Sequence, residues 1–226
     1  MSAIAILLCA GRGERLGLGV DKALVPLAGR PLFAWSLEAL QRCDAVHGIV
    51  VVGPAKALRD ALAASGHAPS RIVAWAEGGK ERRDSVARGL AALPAEATLV
   101  AIHDSARALV TSELVARVVA DALEHGASIA AAPLADTLKR ASLQVVEDTV
   151  PRAALWCAQT PQVFRREWIE DAHRRIKGEA TDDSMLVEAA GYRVRLTPGD
   201  PLNFKITTPR DLELAEAWLT RAPART

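Results

Sequence analysis

The order of predicted secondary structure constrains this chain more than any other feature. Short apolar runs rich in β-forming residues alternate with segments in which apolar residues recur at helical spacing. Parallel neighbours in a sheet need long crossover connections, and these connections have the length and pattern of helices. The alternation therefore predicts an α/β fold with a mostly parallel sheet flanked by helices on both faces. Strands are predicted at residues 3–9, 47–52, 71–76, 98–103 and 128–133, and helices at 32–42, 56–65, after 84 and at 113–125.

Composition limits the possible partners. Half of the 226 residues are hydrophobic, which is enough for a sizeable core, so we expect one domain spanning residues 1–226. The 28 Lys and Arg residues nearly balance the 27 Asp and Glu residues, so no global field draws the chain to nucleic acid or to an anionic membrane. No stretch approaches the ~20 apolar residues of a membrane span. We expect neither nucleic acid nor membrane as a partner, and any anion site must be local.

The first apolar run and the cysteines indicate a cytoplasmic location. Residues 3–10 lack a basic segment before them and lead into a charged glycine loop, which is typical of a buried strand and not of a signal peptide. Cys9, Cys43 and Cys157 are odd in number, widely spaced and placed in apolar surroundings. These features favour reduced thiols over disulfides or zinc ligands.

A last helix is predicted to begin near Thr208. Thr208 is a suitable N-cap, Pro209 fits the first helical position, and Asp211 can complete a capping box. We expect four apolar residues of this helix to face the core, namely Leu212, Leu214, Ala215 and Leu219.

Residues 134–156 interrupt the α/β order. Apolar and polar residues alternate there, which predicts two strands around a polar turn near residues 141–144. An isolated hairpin is marginally stable in water, so this β-arm is expected to pack against something, and a second subunit is the simplest candidate. The arm would then be an excursion from the single domain that forms a homodimer. The alternative is an ordinary edge hairpin on the main sheet.

A glycine-rich loop follows the first strand, at the sheet edge where open α/β folds bind ligands. Gly11 and Gly13 allow backbone N–H groups to approach phosphate oxygens, and Arg12, Arg15 and Lys22 bring cations to the same loop. This combination predicts a phosphate or nucleotide site. The alternative is a tight turn with solvated charges.

Two common nucleotide fingerprints do not fit this loop. The dinucleotide pattern needs glycine where Leu16 stands, and the second strand ends in Gly53 and Pro54 instead of an acidic ribose ligand. The P-loop pattern needs Gly-Lys-Ser/Thr after four residues, and neither Gly11 nor Gly13 is followed by it. Hydride transfer from NAD and P-loop chemistry are therefore disfavoured.

The loop, together with Lys22 and residues 26–32, is similar to the opening of sugar-nucleotide pyrophosphorylase-like nucleotidyltransferases. A more specific resemblance begins at residues 78–86, whose Gly-Gly-x-x-Arg-x-Asp-Ser-Val pattern resembles a block of the methylerythritol phosphate cytidylyltransferase family. Further blocks of that family have counterparts, in the family's order, at residues 100–107, 136–139, 160–162, 181–183 and 203–207. The resemblance spans nearly the whole chain and implies a Rossmann-like sheet of the nucleotide-diphospho-sugar transferase type.

The resemblance implies an enzyme that transfers CMP from CTP to 2-C-methyl-D-erythritol 4-phosphate and expels pyrophosphate, with Mg²⁺ as the cofactor. An acceptor phosphate with a second pKa of ~6 is largely a dianion at neutral pH, so the nucleophile needs no general base. Catalysis then requires cations that position mutually repelling anions. Alternatives are transfer to ribitol 5-phosphate, transfer of a UMP or guanylyl group, and CTP binding without catalysis.

The resemblance also assigns roles to individual residues. Arg15 and Lys22 are the candidate catalytic cations, and Asp104 is expected near the Mg²⁺, directly or through water, just past a strand end. The alternative for Asp104 is a cap of the next loop. His103 is interpreted as structural, because a lone His that ends a buried strand is more often a core residue than a catalyst.

The remaining assignments concern the two substrates. Ala10 and Gly79 are expected to bind cytosine with the hydroxyl of Ser85, which could instead cap a helix, while Gly11 and Gly13 approach the phosphates. Ser105 stands where the family often has Ala and adds a hydroxyl beside the acceptor site. The predicted acceptor cradle contains Arg107 and Lys205 from one subunit, with Thr137 and Arg152 from the arm.

Overall fold

The computed structural model describes residues 3–11, 13, 16–17, 19–66, 70–178 and 180–221. Its strands are β1 (Ala3–Leu8), β2 (Pro26–Leu27), β3 (Arg30–Pro31), β4 (Val46–Val52), β5 (Ile72–Ala76), β6 (Leu99–Asp104), β7 (Ala127–Pro133), β8 (Leu138–Ser142), β9 (Val145–Val150), β10 (Trp156–Arg165) and β11 (Arg195–Pro198). Its helices are α1 (Leu32–Arg42), α2 (Ala55–Ala64), α3 (Arg82–Ala91), α4 (Ser112–His125), α5 (Arg166–Arg175), α6 (Asp183–Ala189) and α7 (Pro209–Arg221).

A seven-stranded sheet in the order β11-β7-β10-β6-β1-β4-β5 forms the centre of the molecule. The strand β10 runs antiparallel to both of its neighbours, and the other pairings are parallel. This arrangement confirms the predicted mostly parallel sheet. Strand β1 lies between β4 and β6, which explains why its sequence is apolar throughout.

The core lies on both faces of this sheet. Along β1, Ala5 and Leu7 point into one hydrophobic layer with α1 and α4, while Ile4 and Ile6 point into the opposite layer with α3, α5 and α6. The alternation follows from the two-residue period of a strand. Helices on both faces therefore hold the carboxyl ends of β1 and β6 at one edge, where the site forms.

Helix α7 has the predicted cap and a partly different buried face. The Asp211 N–H donates to Thr208 Oγ1 at 3.3 Å, and the Thr208 N–H donates to Asp211 Oδ2 at 2.8 Å. Ala215 is buried, and Leu212 and Leu219 pack beside it. The prediction that Leu214 faces the core is wrong, because it is 59% exposed. Residues two positions apart project to different sides of a helix, so Leu214 points away from the face that Leu212 occupies.

The segment after β7 forms a hairpin outside the main sheet. Strands β8 and β9 pair antiparallel as a separate two-stranded sheet, with positive φ at Leu143 and Gln144 in the turn. The alternative of an edge hairpin on the main sheet is therefore wrong. The predicted arm, residues 134–156, ends one residue too late, because Trp156 begins β10 and pairs with Pro133 of β7. Its role in dimer formation stays a prediction.

No helix in the described part of the chain combines the length and apolar character needed to cross a membrane.

Candidate active site

A cavity of about 400 Å³ opens where β1 and β6 end, between the glycine loop and the turn that precedes α3. Its position matches the carboxyl edge at which open α/β sheets bind ligands. Of the residues singled out from the sequence, the structure brings Ala10, Gly11, Gly13, Lys22, Gly79, Ser85, Asp104, Ser105 and Lys205 together in its lining. Arg15 and Arg12 lie outside the described residues.

The glycine loop forms one wall of the cavity. Lys22 opens a short 3-10 turn and donates its N–H to the Gly11 carbonyl at 3.1 Å, which brings the lysine back beside the glycines. Gly13 has a φ of 66°, and a Cβ there would lie 3.1 Å from the Cβ of Lys22. Glycine is therefore needed at this position both for backbone conformation and for space.

Asp104 lies on the opposite wall and forms ion pairs with two basic side chains. Its Oδ2 accepts from Lys205 Nζ at 2.6 Å, and its Oδ1 accepts from Arg82 Nε at 3.1 Å. Asp104 is the last residue of β6, not a residue beyond the strand, and its N–H donates to Thr160 Oγ1 at 3.1 Å. The alternative that its side chain caps the next loop is wrong, because both carboxylate oxygens contact cations of the cavity.

The electrostatics of Asp104 follow from these contacts. Burial by itself would raise the pKa of the Asp104 carboxyl, but the cations of Arg82 and Lys205 outweigh burial and hold this pKa well below its usual range. Asp104 is therefore an anion at neutral pH. It fixes two cations in a cavity that can receive phosphate groups.

Arg82 is the main residue of the cavity that sequence reasoning left without a role. It belongs to the Gly-Gly-x-x-Arg block and begins α3, so its guanidinium reaches across to β6. A second contact joins Arg82 to Asp183, with 2.7 Å between a terminal nitrogen and Oδ2. The presence of Arg82 in the same block as Gly79 and Ser85 was the available signal.

Ser85 closes the turn that precedes α3. Its Oγ accepts from the Gly79 N–H at 3.0 Å and donates to the Glu81 carbonyl at 3.2 Å. The N-cap of α3 is Glu81, whose N–H donates to Asp84 Oδ2 at 3.1 Å, so the alternative of Ser85 as N-cap is wrong. The helix also begins at Arg82, earlier than predicted, because this capping box forms upstream.

His103 lies behind the cavity and outside its lining. Its Nδ1 is 3.0 Å from Thr160 Oγ1, the same hydroxyl oxygen that accepts from the Asp104 N–H. Burial lowers the pKa of His103 to about 4, despite the opposing effect of the Asp104 carboxylate. The imidazole is therefore neutral at physiological pH, which supports the structural interpretation.

Three predicted acceptor residues do not line the cavity of this chain. The Arg107 guanidinium donates to the Asn203 carbonyl at 2.7 Å and to the Ala158 carbonyl at 3.2 Å, so it ties β10 to the segment that carries Lys205. Thr137 and Arg152 flank the hairpin and are exposed. Within this chain, the acceptor cradle predicted from these residues is incomplete.

The described residues also bear on the predicted magnesium. They contain no group of three or more His, Cys, Asp or Glu side chains suited to hold a metal ion by themselves. Magnesium is commonly bound by one or two carboxylates together with substrate phosphates and water. Asp104 provides such a carboxylate at the cavity wall, and each of its oxygens has a further lone pair beyond its ion pair. The donor set therefore fits a metal carried by phosphates and not a dedicated protein cage.

Comparisons with known proteins agree over nearly the whole chain. Residues 3–221 match the family model of 2-C-methyl-D-erythritol 4-phosphate cytidylyltransferase. A protein of that name from Synechococcus sp. (strain WH7803) is 41% identical to this chain over 220 residues, which cover 96% of this chain and 98% of the relative. Another, from Gloeobacter violaceus, is 44% identical over 218 residues, which cover 93% of each chain. The crystal structure of the Thermus thermophilus enzyme of that name is 37% identical, with a TM-score of 0.79 over 98% of this chain and 100% of that one.

Proposed function

The chain belongs to the 2-C-methyl-D-erythritol 4-phosphate cytidylyltransferase family of nucleotidyltransferase enzymes, and we propose how its cavity performs the reaction of that family. The chain transfers CMP from CTP to 2-C-methyl-D-erythritol 4-phosphate. The products are 4-diphosphocytidyl-2-C-methyl-D-erythritol and pyrophosphate, in the non-mevalonate route to isoprenoid precursors. The observation that carries the site assignment is the cavity in which Arg82 and Lys205 contact Asp104 and Lys22 lines the glycine-loop wall.

An oxygen of the acceptor phosphate attacks the α-phosphorus of CTP, and pyrophosphate leaves from the opposite side. Because the acceptor phosphate is largely a dianion at neutral pH, the site needs no general base. The neutral, buried His103 accords with this, since it lies outside the cavity lining. The protein supplies cations that offset the repulsion between the anions and the charge growing on the leaving group.

Lys22 and Lys205 act from two sides of the cavity, and Arg15 adds a third cation by family resemblance. Asp104 holds the Lys205 ammonium at 2.6 Å, so this cation is in place before substrate enters. Such preorganisation lowers the cost of reorganising charges in the transition state. Gly11 and Gly13 let the backbone approach the triphosphate.

Cytosine binds between the glycine loop and the turn before α3. These two loops touch, because a Cβ at Gly78 would lie 2.3 Å from the Cβ of Ala10. Ala10 and Gly79 offer backbone groups there, and the Ser85 hydroxyl keeps the turn closed. Fixed polar groups of this kind select cytosine over other bases, because a base with a different edge leaves some of these groups without a hydrogen-bond partner.

Asp104 would be the protein ligand of a magnesium ion that enters with the triphosphate, directly or through water. When bound, the ion neutralises phosphate charge and orients the triphosphate. The donor set of the cavity supports this assignment.

The acceptor cradle is completed by a second copy of the chain. Thr137 and Arg152 lie outside the cavity of their own protomer and beside an exposed hairpin. The hairpin exposes apolar side chains, with Leu143 95% and Val146 57% exposed, which a partner would cover.

We place the homodimer in the cytoplasm, a location supported by its unpaired thiols Cys9, Cys43 and Cys157.

The decisive test is pyrophosphate release with CTP and Mg²⁺. The two acceptors, 2-C-methyl-D-erythritol 4-phosphate and ribitol 5-phosphate, are assayed in parallel, with ATP, UTP and GTP as competing donors. Turnover selective for CTP and methylerythritol phosphate is the expected result. Preference for ribitol phosphate would move the acceptor assignment and direct attention to Ser105, whereas a folded protein that releases no pyrophosphate would overturn the proposed function.

A further inference from the structure

We propose that Asp183 is a positioning residue for cytidylyl transfer: its buried carboxylate holds Arg82 in the cavity wall, so that Arg82 in turn holds Asp104. The inference rests on the proposed function and extends it to a residue outside the cavity lining. Arg82 bridges two carboxylates, with its Nε 3.1 Å from Asp104 Oδ1 and a terminal nitrogen 2.7 Å from Asp183 Oδ2. With the Asp104–Lys205 contact added, negative and positive side chains alternate in one row that ends in the cavity: Asp183, Arg82, Asp104 and Lys205.

The burial of Asp183 argues for a specific role. Its side chain is only 1% exposed, and a buried carboxylate is costly unless it is paired. Arg82 is its cationic partner, and the second group facing it is His173, whose Nε2 lies 3.7 Å from Asp183 Oδ1. Both Asp183 and Asp104 raise the pKa of the Arg82 guanidinium against the opposing effect of burial. Arg82 therefore remains charged in the wall of the cavity.

The backbone around Asp183 is held from two sides. Gln162 of β10 accepts the N–H groups of Asp183 and Ser184, both at 3.1 Å, and donates to Asp182 Oδ2 at 2.8 Å. The start of α6 is thereby fixed to the central sheet, which also carries Asp104 on β6. The two carboxylates that grip Arg82 consequently have a defined separation.

From the other side, Arg83 fixes the segment that precedes α6. Its guanidinium donates to the carbonyls of His173, Ile176 and Gly178. Consecutive residues of α3 thus point to different partners, with Arg82 toward the cavity and Arg83 toward the end of α5. Because α3 is held in this way, the position of the Arg82 guanidinium depends mainly on its two carboxylate partners, Asp104 and Asp183.

Removing the charge of Asp183 should therefore disturb chemistry more than folding. Without it, Arg82 retains only Asp104 as an anionic partner, and the guanidinium can shift toward that carboxylate or toward the phosphates. A cation displaced in this way no longer matches the charge of the transition state, so kcat falls more than KM rises. A purely structural Asp183 would instead lower the melting temperature and leave kcat of the folded enzyme unchanged.

The test is a double-mutant cycle with Asp183→Asn and Arg82→Met, measured as kcat/KM for CTP alongside the melting temperature. Groups in one network couple strongly, so we expect Asp183→Asn alone to lose about 10-fold to 100-fold, and to change activity less than about twofold once Arg82 is Met. Asp183→Glu should recover part of the loss. Asp171→Asn is the matched control, because Asp171 is a largely buried carboxylate on the neighbouring helix α5 whose ion pairs are with Arg174 at 2.6 Å and Arg175 at 2.7 Å.

Two results would overturn the proposal: a folded Asp183→Asn protein with unchanged kcat/KM, or losses that multiply in the double variant. If the parent protein binds CTP but shows no turnover, the proposed function fails, and the same cycle is then measured on the CTP dissociation constant. Coupled losses in affinity would still support positioning of Arg82 by Asp183. Independent losses, or a parent protein that does not bind CTP, would reject it.

Discussion

Lys205 is a cation of the cavity whose removal should reduce activity directly. Its ammonium is held 2.6 Å from Asp104 at the cavity wall, so Lys205→Met removes a preorganised charge and leaves Asp104 with Arg82 alone. We expect a loss on the order of 3 kcal/mol in transition-state stabilisation, or about 100-fold in kcat. Steady-state pyrophosphate release measures it, with Lys56→Met, an exposed lysine paired with Asp60, as the control. A kcat close to that of the parent would remove Lys205 from the mechanism.

His103 should give the protein a pH-dependent stability that is separate from catalysis. Burial lowers its pKa from 6.5 to about 4, so the unfolded state binds more protons between these values and stability falls as pH drops through this window. The full shift corresponds to about 3 kcal/mol in the free energy of unfolding. Urea unfolding from pH 7.5 to pH 4 should show this dependence in the parent and a smaller one in His103→Gln. Equal slopes in both proteins would assign the dependence to other groups.

Sequence reasoning found the residues of the cavity better than their contacts. Gly11, Gly13 and Lys22 lie in a loop whose residue types indicate phosphate binding, while Asp104 and Lys205 were assigned from blocks that resemble the family. The structure brings all of them together. The ion pairs of Arg82 could not be predicted in the same way, because each joins residues distant in the chain and depends on how β6 and α6 approach α3. The block pattern indicates that an arginine is present but does not show which carboxylates it contacts.

At the scale of elements, the turn before α3 and the glycine loop should respond differently when a glycine in each is replaced by alanine. A Cβ at Gly78 would lie 2.3 Å from the Ala10 Cβ, whereas a Cβ at Gly11 would meet nothing within 4 Å. Gly78→Ala should therefore separate the loops and reduce both the melting temperature and CTP affinity. Gly11→Ala should leave the melting temperature unchanged and reduce CTP affinity, since the methyl occupies space near the phosphates.

Calorimetric titration with CTP and thermal unfolding of both glycine variants make this comparison. If Gly78→Ala melts and binds CTP like the parent, the contact between the two loops is not rigid. If Gly11→Ala binds CTP like the parent, the backbone at Gly11 does not approach the triphosphate.

Strand β10 is an element that the sequence pattern did not predict, and the reason is physical. The first strands and helices were predicted within a few residues because each buried strand is apolar and is followed by an amphipathic helix. Strand β10 lacks this signal: it follows a hairpin without a crossover helix, and its buried stretch contains Gln159, Thr160 and Gln162. These polar side chains are buried because they bind neighbouring groups, including the start of α6. Tertiary hydrogen bonds therefore replaced the hydrophobic pattern on which the prediction depends.

At the scale of the whole molecule, the unexplained feature is a hairpin that contributes nothing to the core of its own chain. Strands β8 and β9 pair only with each other, and their side chains are largely exposed. A two-stranded hairpin is marginally stable alone, so a partner surface would stabilise it. The same hairpin is flanked by Thr137 and Arg152, which the proposed acceptor site needs and which its own cavity lacks. Both observations are accounted for if each hairpin reaches the cavity of a second copy.

Mixed dimers test this arrangement. A protomer with Lys22→Met and a protomer with Arg152→Ala, co-expressed with different tags and purified together, form one complete site if Arg152 acts on the partner's cavity. Each variant alone should be nearly inactive, whereas the mixed dimer should recover about half of the parent's activity, because one of two symmetric sites is intact. A mixed dimer of Lys22→Met and Lys205→Met is the control and should stay inactive, since both lysines line the cavity of one chain. If Arg152→Ala alone keeps the parent's activity, Arg152 has no role in the reaction. If each variant alone is inactive and the first mixed dimer also stays inactive, Arg152 acts within its own chain. Either result, or an active protein that is a monomer in solution, would show that the shared site is wrong.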